Sequence, residues 1–124
     1  MARFFLICLG GAIGSGARYL FSTGMTRAFG NFPFGTMGVN VIGSFFASVV
    51  MVLALEKSAI SPDLRFFLVT GVLGGFTTYS SFNYETLHLA QSGALGLAAV
   101  NVAVTLVVCC LAGIGGIALA RAFV

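Results

Sequence analysis

Long apolar runs fill this chain, and short polar stretches separate them at near-regular intervals. The first run, FFLICLGGAIG, follows Arg3 directly and carries on through Gly-Ser-Gly-Ala-Arg to Tyr19-Leu20-Phe21. A second extends from Phe34 to Leu55 and gives way to the hydrophilic stretch from Glu56 to Leu64. The third runs from Arg65 to Leu89, the Gln91-Ser92-Gly93 turn follows, and the fourth covers Ala94 to Ala120. A membrane-spanning helix needs about 20 consecutive apolar residues. The pattern therefore predicts an all-α membrane protein of four transmembrane helices at residues 4–21, 34–55, 65–89 and 94–120, with a first loop through Asn31 and Pro33. Residues 1–124 form a single unit on this reading.

The third run departs from a plain hydrophobic helix. From Gly71 to Glu85 it reads GVLGGFTTYSSFNYE, a Gly-Gly pair followed by Thr77, Thr78, Tyr79, Ser80 and Ser81. Backbone in lipid must satisfy every hydrogen-bonding group, so this composition predicts a helix broken near Gly74, where it meets protein or a trapped polar species.

Composition narrows the class. Hydrophobic residues make up 59% of the 124 and charged residues 7%, with a mean hydropathy of +1.09, which excludes an ordinary soluble domain. A pI near 9.1 would point to nucleic acid in a soluble protein. Here the six basic residues are scattered singly and mostly at span ends, so topology accounts for them without a nucleic-acid partner. The amino-terminal run has the look of a signal peptide but continues as a membrane segment, and is expected to be retained as the first span. An even number of spans gathers Arg3, Lys57, Arg65 and Arg121 on one side, against Arg27 and Arg18 on the other, and the positive-inside rule places both termini in the cytoplasm. Cys8, Cys109 and Cys110 all lie in apolar runs and read as small packing residues, not as disulfides or metal ligands.

Polar residues recur at helical spacing. Thr36, Asn40, Ser44 and Ser48 form a stripe on the second span, and Asn101, Thr105, Cys109 and Gly113 form one on the fourth. Such residues often let membrane helices approach closely, as do Gly10-x-x-x-Gly14 and Gly43-x-x-x-Ala47. Hydroxyls also bond back to their own helix. Asn40 and Asn101 are different, because a carboxamide cannot satisfy all its donors and acceptors that way. Arg18 sits deep enough in the first span to need either snorkelling or a buried acceptor. Glu85 is expected to cap or pair with a polar neighbour, and His88 to lie at the interface.

Three ordered motifs together resemble a known family, the Fluc fluoride channels, also called CrcB proteins: GGAIGSGARY from Gly10 to Tyr19, GTMGVNVIGS from Gly35 to Ser44, and GVLGGFTTYSSFNYE. The resemblance covers the whole chain. It implies a passive fluoride channel in the inner membrane of a prokaryote, exporting fluoride from the cytoplasm. It also implies an inverted dimer, with two pores and a central structural sodium ion. By position, the backbone carbonyls of Gly74 and Thr77 would hold the sodium. Asn40, Ser44, Tyr79, Ser81, Phe82, Asn101 and Thr105 would line the fluoride pore, supported by Arg18, Thr36 and Glu85. Tyr79 departs from the family pattern, which has phenylalanine there. The partner is a second copy in antiparallel orientation or an oppositely oriented homologue, and the uneven basic residues make the second case worth testing.

The chemistry is compatible with that function. Amide and hydroxyl donors can replace the water around a small, strongly hydrated anion, whereas carboxylates cannot, and aromatic rings present positive edges. A competing reading is a small four-span proton-coupled multidrug exporter, which would want a membrane-embedded carboxylate in the first span. That span has none. A non-conducting assembly subunit would explain the packing residues but not the hydroxyl cluster at a break.

Overall fold

The computed structural model describes residues 1–30 and 32–123; Asn31, assigned above to the first loop, lies outside the described residues. The described chain is mostly helical, with no strand among the described residues. Helix α1 spans Ala2–Phe29, α2 Phe34–Leu55 and α6 Leu95–Phe123, and these three are long and apolar enough to cross a membrane by length and composition. Between α2 and α6 runs a segmented helix. It begins with α3, Pro62–Arg65, whose N-cap Ser61 accepts the Leu64 N–H, and continues as a π-helical stretch, Phe66–Leu73, and a short α4, Gly74–Phe76. After a break comes α5, Tyr79–Gln91. Helix α1 is longer than its expected span: it continues past Phe21 to Phe29 and stops at Gly30, where φ is +77°.

Helix α1 packs along the π stretch and α4, α2 packs along α6, and α5 leans on α6. The first seam is made of glycine against glycine. A Cβ at Gly10 would lie 2.7 Å from the Phe67 carbonyl oxygen, one at Gly71 would lie 3.0 Å from Gly10 Cα, and one at Gly75 would lie 2.6 Å from the Gly11 carbonyl oxygen. At Gly14 it would collide with the Val72 carbonyl. Backbones this close gain dispersion contacts that lipid cannot supply, which is the usual basis of helix association in membranes. The Gly43 and Gly116 positions do the same for α2, admitting the Thr77 methyl on one side and the Phe45 carbonyl of α2 against α6 on the other. Ser48, part of the second-span stripe, faces Gly113 and Gly116 and is a packing residue.

The break falls later than the glycine pair suggests. Gly74 and Gly75 are helical, and the backbone becomes extended at Thr77 (ψ 159°) and Thr78 (φ −156°, ψ 116°). Neither threonine needs a positive φ, so the break requires no glycine. Gly75 is present for close approach to α1 instead.

Two exposed ion pairs tie one end of the bundle together. Arg3 meets Asp63 at 2.8 Å, and Arg121 grips Glu56 with two bonds of 2.6 and 2.9 Å that hold the Glu56 carboxyl below its ordinary range. Both termini and the second loop therefore share a side, the arrangement an even number of crossings demands. Such pairs contribute little stability in water.

The glycine seam generates a test. Gly14→Ala places its methyl on the Val72 carbonyl and is expected to lower stability by at least about 2 kcal/mol, the upper range of overpacking. Gly115→Ala, which meets nothing within 4 Å, is expected to be near neutral. Thermal unfolding of the two proteins in detergent checks this; equal melting temperatures would refute a close-packed seam.

Candidate functional site: a clasped helix break

Breaking a helix inside a bundle strips donors and acceptors from their partners, and here one side chain takes up both. The Asn40 carboxamide on α2 accepts the Thr78 N–H at 2.8 Å through Oδ1 and donates Nδ2–H to the Thr78 carbonyl at 3.0 Å. It pairs with Thr78 much as a neighbouring strand would. In a continuous helix the Thr78 N–H would return to the Gly74 carbonyl, so its diversion removes that oxygen's i+4 donor. Asn40 has a second Nδ2 hydrogen, and among the described residues it has no acceptor.

The far side of the break is held from α1. Arg18 donates Nη1–H to the Thr77 carbonyl at 3.2 Å, so the guanidinium has an acceptor inside the bundle. Thr77 turns its own hydroxyl back to the Leu73 carbonyl at 2.9 Å. Thr78 then caps α5: its Oγ1 accepts the Ser81 N–H at 3.2 Å and donates to Ser81 Oγ at 3.1 Å, with Ser80 Oγ 3.2 Å away. Thr78 is 7% exposed. In the sequence Thr78 is one hydroxyl among five and is not among the candidate residues; its N–H and C=O become decisive because the backbone is extended there and Asn40 pairs with both.

Beside the clasp is an open cavity of about 430 Å³. Asn40, Ser44, Gly74, Thr77, Tyr79, Phe82 and Thr105 line it, with Thr78 and Cys109. The lining contains no carboxylate and no basic side chain. Phe82 is buried and Tyr79 is 77% exposed, their ring centroids 5.7 Å apart and tilted by 48°. Ser44 donates to the Asn40 carbonyl at 2.7 Å. The α5 first turn, with N–H groups that have no intrahelical acceptor, starts at this cavity and brings the positive end of its dipole there.

Not every candidate lines the cavity. Ser81 is one step removed, within the α5 cap. Asn101 is 1% exposed and donates to Thr86 Oγ1 at 2.9 Å, while Thr86 donates to the Phe82 carbonyl and Thr105 to Asn101 Oδ1 at 3.4 Å. This network joins α6 to α5 at the Phe82 carbonyl. Thr36 donates to Glu85 Oε1 at 2.8 Å, and Glu85 Oε2 is buried with no partner among the described residues. His88 stacks on Tyr84 with rings 10° from parallel.

Comparison with known proteins relates nearly the whole chain to one family. Residues 5–117 match the model of the family described as CrcB-like protein, Camphor Resistance (CrcB). A protein of Anaeromyxobacter sp. (strain K) named "Fluoride-specific ion channel FluC" is 55% identical over 122 residues, covering 98% of this chain and 97% of its own. Proteins of the same name from Sorangium cellulosum (strain So ce56) and Agrobacterium fabrum are 54% and 46% identical, each over 98% of this chain and over 96% and 98% of their own lengths. The multi-pass helical chain with its clasped break thus belongs to the CrcB-like family.

Proposed function

We propose that this protein is a fluoride-selective passive channel that lets fluoride leave a prokaryotic cell across its inner membrane. The family is one of ion channels and not of enzymes. The observation that carries the reading is the break itself: a spare Asn40 amide hydrogen and the first turn of α5 both meet a cavity free of carboxylates. A dehydrated anion needs such donors, and weak ones, since a fixed cation in the path would bind too tightly for release. Four of the cavity's five hydroxyl hydrogens are given to internal acceptors, Ser44 to Asn40, Thr77 to Leu73, Thr78 to Ser81 and Thr105 to Asn101, and the fifth belongs to the exposed Tyr79 phenol. Asn40 and Tyr79 are therefore the first donors for the ion, and the other hydroxyls contribute by rotating. Phe82 and Tyr79 wall the path, and Ser81, Asn101 and Thr105 hold that wall in place. Proton-coupled drug export is not favoured, because the cavity has no carboxylate to carry the proton.

The open side of the cavity is completed, on this reading, by a second copy or an oppositely oriented homologue, with a passage in each half. Sodium fits the break: the Gly74 carbonyl has lost its i+4 donor and the Thr77 carbonyl ends α4, a hard-oxygen pair suited to a small cation once a partner doubles it. Bound there, it would add a fixed positive charge that favours anions nearby. Arg18 and Asn40 orient the break, and the Thr36–Glu85 bond fixes α5 against α2.

Purified protein in liposomes is expected to release fluoride much faster than chloride once a potassium ionophore dissipates the opposing voltage; equal rates for both ions, or none for either, would refute the channel. Asn40→Asp replaces the donor to the Thr78 carbonyl by a repelling oxygen and puts negative charge beside the anion. Fluoride efflux is expected to fall at least about tenfold, one tenfold step being about 1.4 kcal/mol, while the protein still elutes as one folded species; wild-type efflux would show that the path lies elsewhere. Exchanging sodium for a large organic cation during purification is expected to lower thermal stability. An unchanged melting curve would count against Gly74 and Thr77 as its ligands.

A further inference from the structure

Two positive groups claim one oxygen at the break. The Thr77 carbonyl accepts a hydrogen bond from Arg18 Nη1 at 3.2 Å, and it is also one of the two carbonyls assigned to sodium. We propose that Arg18 competes with the cation: its guanidinium bonds to the same Thr77 carbonyl, and its charge weakens sodium binding there. The inference rests on the sodium reading above and gives that site its regulation.

The charge of Arg18 is not cancelled nearby. The described ion pairs are Arg3 with Asp63 and Arg121 with Glu56, at the end where the termini meet, and Glu85 bonds to Thr36. A carbonyl oxygen has two lone pairs, so guanidinium and cation can touch it together, but they then repel across a few ångströms of poorly screened space. Even after discounting for the partial exposure of Arg18, that repulsion is expected to lower cation affinity by about tenfold.

Protein groups already pair most of the backbone at the break, leaving the Gly74 carbonyl for the cation. Arg18 satisfies the Thr77 carbonyl, while Asn40 satisfies both backbone groups of Thr78. Sodium is then, on this proposal, a ligand with a measurable midpoint. The position of that midpoint is set by a residue on α1, outside the oxygen set that binds the ion.

The test follows the thermal unfolding midpoint of the full-length protein in detergent as sodium chloride replaces N-methylglucamine chloride at constant ionic strength. Wild type is compared with Arg18→Gln and Arg18→Lys. The glutamine variant is expected to reach half of its sodium-induced stabilisation at about tenfold lower sodium than wild type, and the lysine variant, which keeps the charge, within about threefold of it. An unchanged or higher midpoint in Arg18→Gln overturns the competition, as does a fall in Arg18→Lys equal to that in Arg18→Gln. Failure of Arg18→Gln to fold even in saturating sodium also overturns it, because a competitor's removal must leave the sodium-loaded break intact. A wild-type curve flat in sodium has a separate meaning: it removes the sodium reading itself, and the competition with it.

Discussion

The two hydrogen bonds between Asn40 and Thr78 are the constraint on which the middle of this molecule depends. A peptide group extended inside a bundle, away from water, is costly unless both its N–H and C=O are paired. A carboxamide is well suited to that task, because its donor and acceptor lie side by side with the spacing of a peptide. Once the clasp is made, Thr78 can cap α5, and the first turn of that helix opens on the cavity. The freed Gly74 carbonyl follows from the same pairing.

The clasp works only because the broken helix is pressed against its neighbours, and glycines provide that proximity. Gly10, Gly14, Gly71 and Gly75 bring α1 and the third helix to backbone contact, and Gly43 admits the Thr77 methyl three residues after Asn40. The π-helical stretch from Phe66 to Leu73 lies along this seam. Arg18 is brought close to the Thr77 carbonyl by the α1 side of the same packing. Close approach and helix breaking are thus separate jobs: glycines perform the first, and threonines with an asparagine partner perform the second.

Polar residues inside the bundle divide along similar lines. Asn101, Thr105 and Thr86 form a network that fixes α6 to α5 at the Phe82 carbonyl, and Thr36 with Glu85 fixes α5 to α2. Of these groups only Thr105 reaches the cavity, whose lining has no charged side chain. That is the electrostatic character the proposed anion passage requires, attraction enough to enter and too little to hold.

Much of this was legible in the amino-acid order. Runs of apolar residues, each long enough to cross a bilayer, dictate helices, since no other secondary structure satisfies its own backbone in lipid. The glycine and hydroxyl cluster from Gly71 to Glu85 announces that one of them is interrupted. Asn40 was recognisable as a residue that needs partners outside its own helix, and Arg18 as one that needs an acceptor or a way out to water. The partners themselves were not legible. That Asn40 meets Thr78 across 38 positions, that Arg18 meets Thr77 across 59, and that the chain turns at the threonines and not at Gly74 depend on which helix faces lie together. Hydrophobic periodicity specifies that a helix forms, through local hydrogen bonds and side-chain character; the rotation and depth of one helix against another come from close packing, which only the folded chain decides.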